Sequence, residues 1–130
     1  MVPVEAKQGR PGTNPWPVKF DGISVVHASS DNTPITTAAE TVIIPAPVAG
    51  SFLRIYYLMA SNSSATTTDA SWRNGSLGPR VYRVTLPKGG VFAHNIKPAQ
   101  WDLAKNAALY LSTSAAGSVH WTVEYAIIPG

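Results

Sequence analysis

The sequence predicts an all-β domain: an antiparallel β-sandwich of about eight strands, jelly-roll-like, with an extended N-terminal arm. Three observations predict it. From Gly22 onward apolar and polar residues alternate with period two, the repeat of a strand with one face buried. Eleven prolines and ten glycines punctuate that alternation at short intervals, which suits many strands joined by tight turns. Only Pro98–Lys105 has a pattern that could hold a helical turn, and a loop or a single turn is expected there.

The first 21 residues read as an arm and residues 22–130 as one sandwich domain. Pro3, Pro11, Pro15 and Pro17 each fix φ and push the preceding residue into an extended conformation. A plain floppy terminus is the competing reading. Against it stand Trp16, Val18 and Phe20, alternate apolar residues that share one side of an extended chain. That side is expected to dock, either on the chain's own body or on a neighbouring subunit.

The expected strands follow in order. Ile23–His27 is the first and Thr41–Ile44 the second, closed by Pro45-Ala46-Pro47. Ser51–Met59 is apolar on nearly both faces, as for a central strand covered on two sides. Ala70–Arg73 comes after the polar tract Ser61–Asp69, and Asn74-Gly75 is expected to turn the chain into Arg80–Leu86. There Tyr82, Val84 and Leu86 share a face. Pro87-Lys88-Gly89-Gly90 reads as a hairpin turn into Val91–His94. Ala107–Ser112 and Val119–Ile127 complete the set. In the last, Val119, Trp121, Val123, Tyr125 and Ile127 form the bulky face, while His120, Thr122 and Glu124 face solvent or a subunit contact.

Composition narrows the function. A chain of 130 residues is the size of one domain. With no cysteine it offers neither a disulfide framework nor a thiolate metal site. Charged residues make up 13% of it with a net charge of +3, and no window holds a Lys/Arg cluster, so nucleic acid is not an expected partner. No apolar run approaches the roughly 20 residues of a membrane-spanning helix. Met1-Val2-Pro3-Val4-Glu5-Ala6 lacks the features of a signal peptide, which predicts synthesis in a cytoplasm.

Converging chemistry is hard to find. His27, His94 and His120 are far apart and have no metal-ligand spacing, and Asp21, Asp31 and Asp69 sit where turn-forming bonds to the backbone are ordinary. Lys88-Gly89-Gly90 does not open a helix, so it is no phosphate loop, and no GxSxG elbow occurs. The expectation is a non-enzyme with no cofactor and no metal. Two features suit binding. Trp72, Trp101 and the Tyr56-Tyr57 pair could make an aromatic platform for a sugar, with core packing as the competing and simpler role. The tract Ser61–Thr68 reads as a solvated loop tip, or as an outward-facing loop on a particle.

Gly12-Thr13-Asn14-Pro15-Trp16-Pro17-Val18 resembles the GTNPWPV signature that introduces small sandwich domains in bacteriophage virion proteins. The cadence of the body is similar to theirs as well. Phe52-Leu53-Arg54-Ile55-Tyr56, Trp72-Arg73-Asn74-Gly75, Gly89-Gly90, Ala107–Ser112 and the closing Gly117–Tyr125 come in the same order. The resemblance spans nearly the whole chain and contains no catalytic motif. It implies a jelly-roll-like capsid decoration (cement) protein on the virion surface, commonly a homotrimer. Its partners would be the major capsid protein and copies of itself, with Trp16, Val18 and Phe20 contacting neighbours. Short length and the lack of heptads or shaft repeats favour this over a fibre. The alternative is a tail, baseplate or head-fibre component that binds host-surface carbohydrate, for which Trp72 and Trp101 would form the partner surface.

Overall fold

The computed structural model describes residues 24–31, 33–97 and 99–130. The expected arm, with Trp16, Val18 and Phe20, lies outside the described residues. Nine strands form among the described residues, none of which is helical. They are β1 (Val26–Ser29), β2 (Glu40–Ile44), β3 (Phe52–Asn62), β4 (Thr68–Asn74), β5 (Arg80–Leu86), β6 (Val91–Asn95), β7 (Trp101–Asp102), β8 (Leu109–Thr113) and β9 (Val119–Ile128).

Two antiparallel sheets pack face to face. One has the order β1-β9-β3-β6, with β7 also paired to β3; the other has the order β2-β8-β4-β5. Behind this order is one long folded ribbon. The chain doubles back after β4, so that β4 pairs with β5, β3 with β6, β2 with β8 and β1 with β9. Successive pairs fall alternately in the two sheets, and rolling the ribbon brings β9 onto β3 and β8 onto β4. This is the jelly-roll arrangement that strand number and spacing predict.

The interior is apolar and closed. Leu53, Ile55, Leu58, Val119 and Val123 line it from the first sheet, and Trp72, Leu86, Leu109 and Leu111 from the second; each is at most 1% exposed. Period two predicts the face of β9 correctly: Val119 and Val123 are buried, and Trp121 and Tyr125 pack against the core. Ile127, on the same face, is exposed near the strand's end.

Bulges explain where simple alternation fails. In β3 the buried residues are Leu53 and Ile55 and then, one step out of phase, Leu58 and Ala60. Pairing with β9 slips between Glu124 and Tyr125, which leaves Tyr56 as the extra residue on β3. The apolar character of both faces therefore reflects a change of phase along one strand as well as partial cover outside. Neighbouring Ile43 and Ile44 are both buried for a similar reason, since the β2–β8 register shifts between Val42 and Ile44. In β5 the register against β4 shifts beside Tyr82, whose φ of 56° is left-handed.

Two local expectations are corrected, and a third is met. Pro87–Gly90 does form a tight turn, with Gly90 N donating to Pro87 O at 2.8 Å. It carries the chain from one sheet to the other and does not close a hairpin, because β4 occupies β5 and β3 occupies β6. The Asn74-Gly75 signal marks the one true hairpin among the described residues, as expected, and its connection spans residues 75–79. Finally, Trp101 and Asp102 form a short strand instead of a loop or helical turn. They cover the stretch of β3 that β6 does not reach, pairing with Ile55 and Arg54. The Arg54 guanidinium donates to both Asp102 oxygens, at 2.8 and 3.1 Å, and fixes them there.

Candidate functional site

The ribbon topology sorts the connections into two groups. Loops 30–39, 63–67, 87–90 and 114–118 gather at one end of the sandwich. Loops 45–51, 75–79 and 103–108 gather at the other, together with Ser24 and Gly130, the two ends of the described chain. The first end is rich in Ser and Thr and is tied by backbone bonds such as Ser63 N to Ser118 O (3.0 Å) and Gly117 N to Thr36 O (3.3 Å). The second is knitted as well: Gly75 N donates to Ala108 O (3.0 Å), Gly50 N to Asn106 Oδ1 (2.7 Å) and Ala104 N to Asn74 Oδ1 (3.1 Å).

The two ends differ in chemistry. Of the seven exposed large apolar residues among those described, five (Val25, Val26, Val48, Leu77 and Ile127) belong to elements of the second end. Residues 1–21 precede this same end in the chain. Leu77 is the most exposed of the five, at 82%, and its φ of 55° lies in the left-handed region, which ordinarily costs a branched residue about 1–2 kcal/mol. Glu40 holds it there. Its carboxylate accepts from Leu77 N at 2.7 Å and from Ser76 Oγ at 2.8 Å, and lies 3.6 Å from Arg73 Nε. Strained backbone of this kind is concentrated at functional sites, which makes Leu77 a candidate contact residue. No sequence motif announces it; the only signal is an apolar residue inside the polar turn Gly75-Ser76-Leu77-Gly78.

The tryptophans proposed as a ligand or partner surface behave differently. Trp72 is fully buried between the sheets and offers no face to a ligand, which corrects that assignment. Its neighbours on β4, Ala70 and Ser71, are buried too, because β8 and β5 flank that strand on both sides. Trp101 is half-buried and packs edge-on against Tyr82, ring centroids 5.5 Å apart. The two are joined through a row of rings, Trp72–Phe92–His94–Tyr82–Trp101, with centroid separations of 5.0–6.1 Å. This row closes the open edge between β5 and β6, so its role is packing. Tyr56 and Tyr57 are half-buried and stand apart from it, Tyr56 beneath the Lys97 ammonium at 5.6 Å.

The histidines do not converge. His94 belongs to that aromatic row, His27 Nδ1 lies 3.6 Å from Glu124, and His120 Nδ1 lies 3.4 Å from Ser30 Oγ. Among the described residues no group of three or more His, Cys, Asp or Glu is placed to hold a metal. Two groups have shifted titrations. Asp102, by hydrogen bond and charge, holds the Arg54 guanidinium above its usual value. The Thr85 hydroxyl (2.7 Å) and then Arg83 (3.1 Å) hold the Asp69 carboxyl below the usual range. At the opposite edge, beside loop 30–39, a cleft of about 390 Å³ opens between β1 and β2; Trp121, Ile35, Val42, Ser29 and Thr33 line part of it.

No family model matches the chain, and no curated protein matches it. Among solved structures it is similar to a chain of the Bacillus endospore appendages, described as a novel family of disulfide-linked pili. The TM-score is 0.46 and the identity 12%, over 83% of this chain and 88% of that one.

Proposed function

We propose that this chain is a structural virion protein of a tailed bacteriophage, a capsid decoration (cement) protein that binds and stabilises the assembled major-capsid-protein lattice. The observation that carries the reading furthest is the polarity of the sandwich. Exposed apolar residues, with strained Leu77 foremost, collect at the end that the Trp16-Val18-Phe20 arm precedes, and hydroxyl-rich loops occupy the other. Such a body suits a molecule that seats one end on a lattice and turns the other to water. The resemblance of the arm to the GTNPWPV signature supplies the phage context.

The mechanism is thermodynamic linkage. A protein that binds only the assembled lattice stabilises it by the free energy of binding. Apolar contacts at the seated end would supply part of that energy, and an arm restricted by prolines would add area at low ordering cost. Copies of the chain, as a homotrimer, would multiply both contributions. No catalytic step is involved.

The test is decoration of DNA-free capsids by purified protein, read as copies per particle. Removal of residues 1–21, or Leu77→Asp, is expected to lower occupancy sharply without unfolding the body. Full occupancy by both variants overturns the reading. A second reading, a host-surface carbohydrate-binding component, is favoured by one observation: the cleft between β1 and β2 sets half-buried Trp121 among Ser and Thr hydroxyls. Saturable binding on a glycan array, lost with Trp121→Ala, would favour it.

A further inference from the structure

On the outer face of the second sheet, toward the hydroxyl-rich end, lies a pocket of about 110 Å³. Asp69, Ser71, Arg80, Arg83 and Ser112–Ser114 line it. It is built by the ladder itself: Ser71 stands opposite Ser112 in the β4–β8 register, and Arg80 and Arg83 come from neighbouring β5. The β5 bulge lies between the two arginines and changes the phase of the strand, so both side chains reach the same pocket.

The charges do not cancel. Both Asp69 oxygens are already engaged, one with Thr85 Oγ1 at 2.7 Å and the other with Arg83 at 3.1 Å. Arg73, opposite Arg80 in the ladder, is directed to Glu40 and to Gly78 O. No carboxylate among the described residues lies within ion-pair distance of Arg80. Among the described residues the pocket therefore carries one positive charge in excess, on a rigid donor fork suited to oxyanions.

A second observation points the same way. Ser71 is only 4% exposed, yet its hydroxyl makes no hydrogen bond to the described residues, and neither does that of Ser112. Both hydroxyls line the pocket, where each can donate to or accept from a bound group. No aromatic ring lines the site, which leaves no stacking surface for a neutral sugar.

We propose that this pocket binds a single oxyanion group, a phosphate, sulfate or carboxylate, either free or carried on a saccharide. Arg80 and Arg83 would supply charge-assisted donors, and the Ser71 and Ser112 hydroxyls would complete the shell. The site is independent of the seated end and does not rest on the decoration role.

Amide and arginine side-chain resonances of the full chain, followed during titration at constant ionic strength, test it. Inorganic phosphate, glucuronate and glucose are the probes, with chloride as the control. Saturable shifts confined to residues 69–71, 80–83 and 112–114 are expected with phosphate or glucuronate and not with glucose. Tighter binding of phosphate identifies a free anion as the ligand, and tighter binding of glucuronate a sugar-borne one. Arg80→Gln, at an exposed position, is expected to weaken binding about tenfold or more. Ser71→Ala is expected to weaken it by a smaller factor. Equal shifts with chloride, no saturation at tens of millimolar probe, or loss with Arg80→Gln but not with Ser71→Ala each overturn the proposal.

Discussion

Asn62→Asp changes a single atom type and should unfold a large part of the protein's stability margin. Asn62 ends β3 with 1% exposure, and all of its side-chain capacity is spent. Nδ2 donates to Thr66 O at 2.8 Å and to Leu86 O at 2.9 Å, while Oδ1 accepts from Ser64 N at 3.0 Å and Ser64 Oγ at 2.8 Å. The amide thus pins loop 63–67 to the sandwich and to the end of β5, so that this tract is anchored at its base. An aspartate keeps the shape but turns a carboxylate oxygen toward two carbonyls. Each carbonyl left without a donor costs about 1–3 kcal/mol, and the buried charge adds to that until the group takes up a proton. The sum at neutral pH is about 4 kcal/mol, which for a domain of this size lowers Tm by roughly 15 °C. Urea denaturation at pH 7 and near pH 4 is the assay. Protonation restores one donor, so the deficit should shrink in acid by about 1–2 kcal/mol. A variant within about 0.5 kcal/mol of the parent at pH 7, or a deficit independent of pH, would refute the reasoning.

Leu77→Asn should raise stability by about 1 kcal/mol in urea, because Asn tolerates the left-handed conformation, while weakening capsid occupancy. Trp72→Ala should cost about 3–5 kcal/mol, as for a large core residue, whereas a surface platform would show almost no change. Asp69 has a lowered folded-state pKa, so its contribution is present above the unfolded value near 4 and is lost as pH falls through the folded value. Acid titration of stability should therefore be shallower in Asp69→Asn below about pH 4, and identical curves would contradict the Thr85–Arg83 pairing.

Much of the fold is local and was readable. Strand character follows from β-branched and aromatic residues repeating every second position, which needs no knowledge of the partner strand. The inward face of β9 and the hairpin at Asn74-Gly75 are of this kind. The competing core role of Trp72 was also visible as an alternative, but burial depends on what lies on both sides of β4, and that was not. The phase changes at Tyr56 and beside Tyr82 were hidden because a bulge is defined by the count of residues on two strands, and a single strand records only half of it.

By itself, then, the sequence determined most of the strands and the turn at Asn74-Gly75, since backbone preference and period two act over a few residues. Tertiary structure alone decided that Pro87–Gly90 crosses between sheets, that Trp101–Asp102 completes the edge of β3, and that Val25, Val48, Leu77 and Ile127 share one end. It also decided that Arg80, Arg83, Ser71 and Ser112 share one pocket. Those relations depend on which strand wins each hydrogen-bonding edge. That competition is settled by burying apolar surface across the whole rolled ribbon, between residues far apart in the chain.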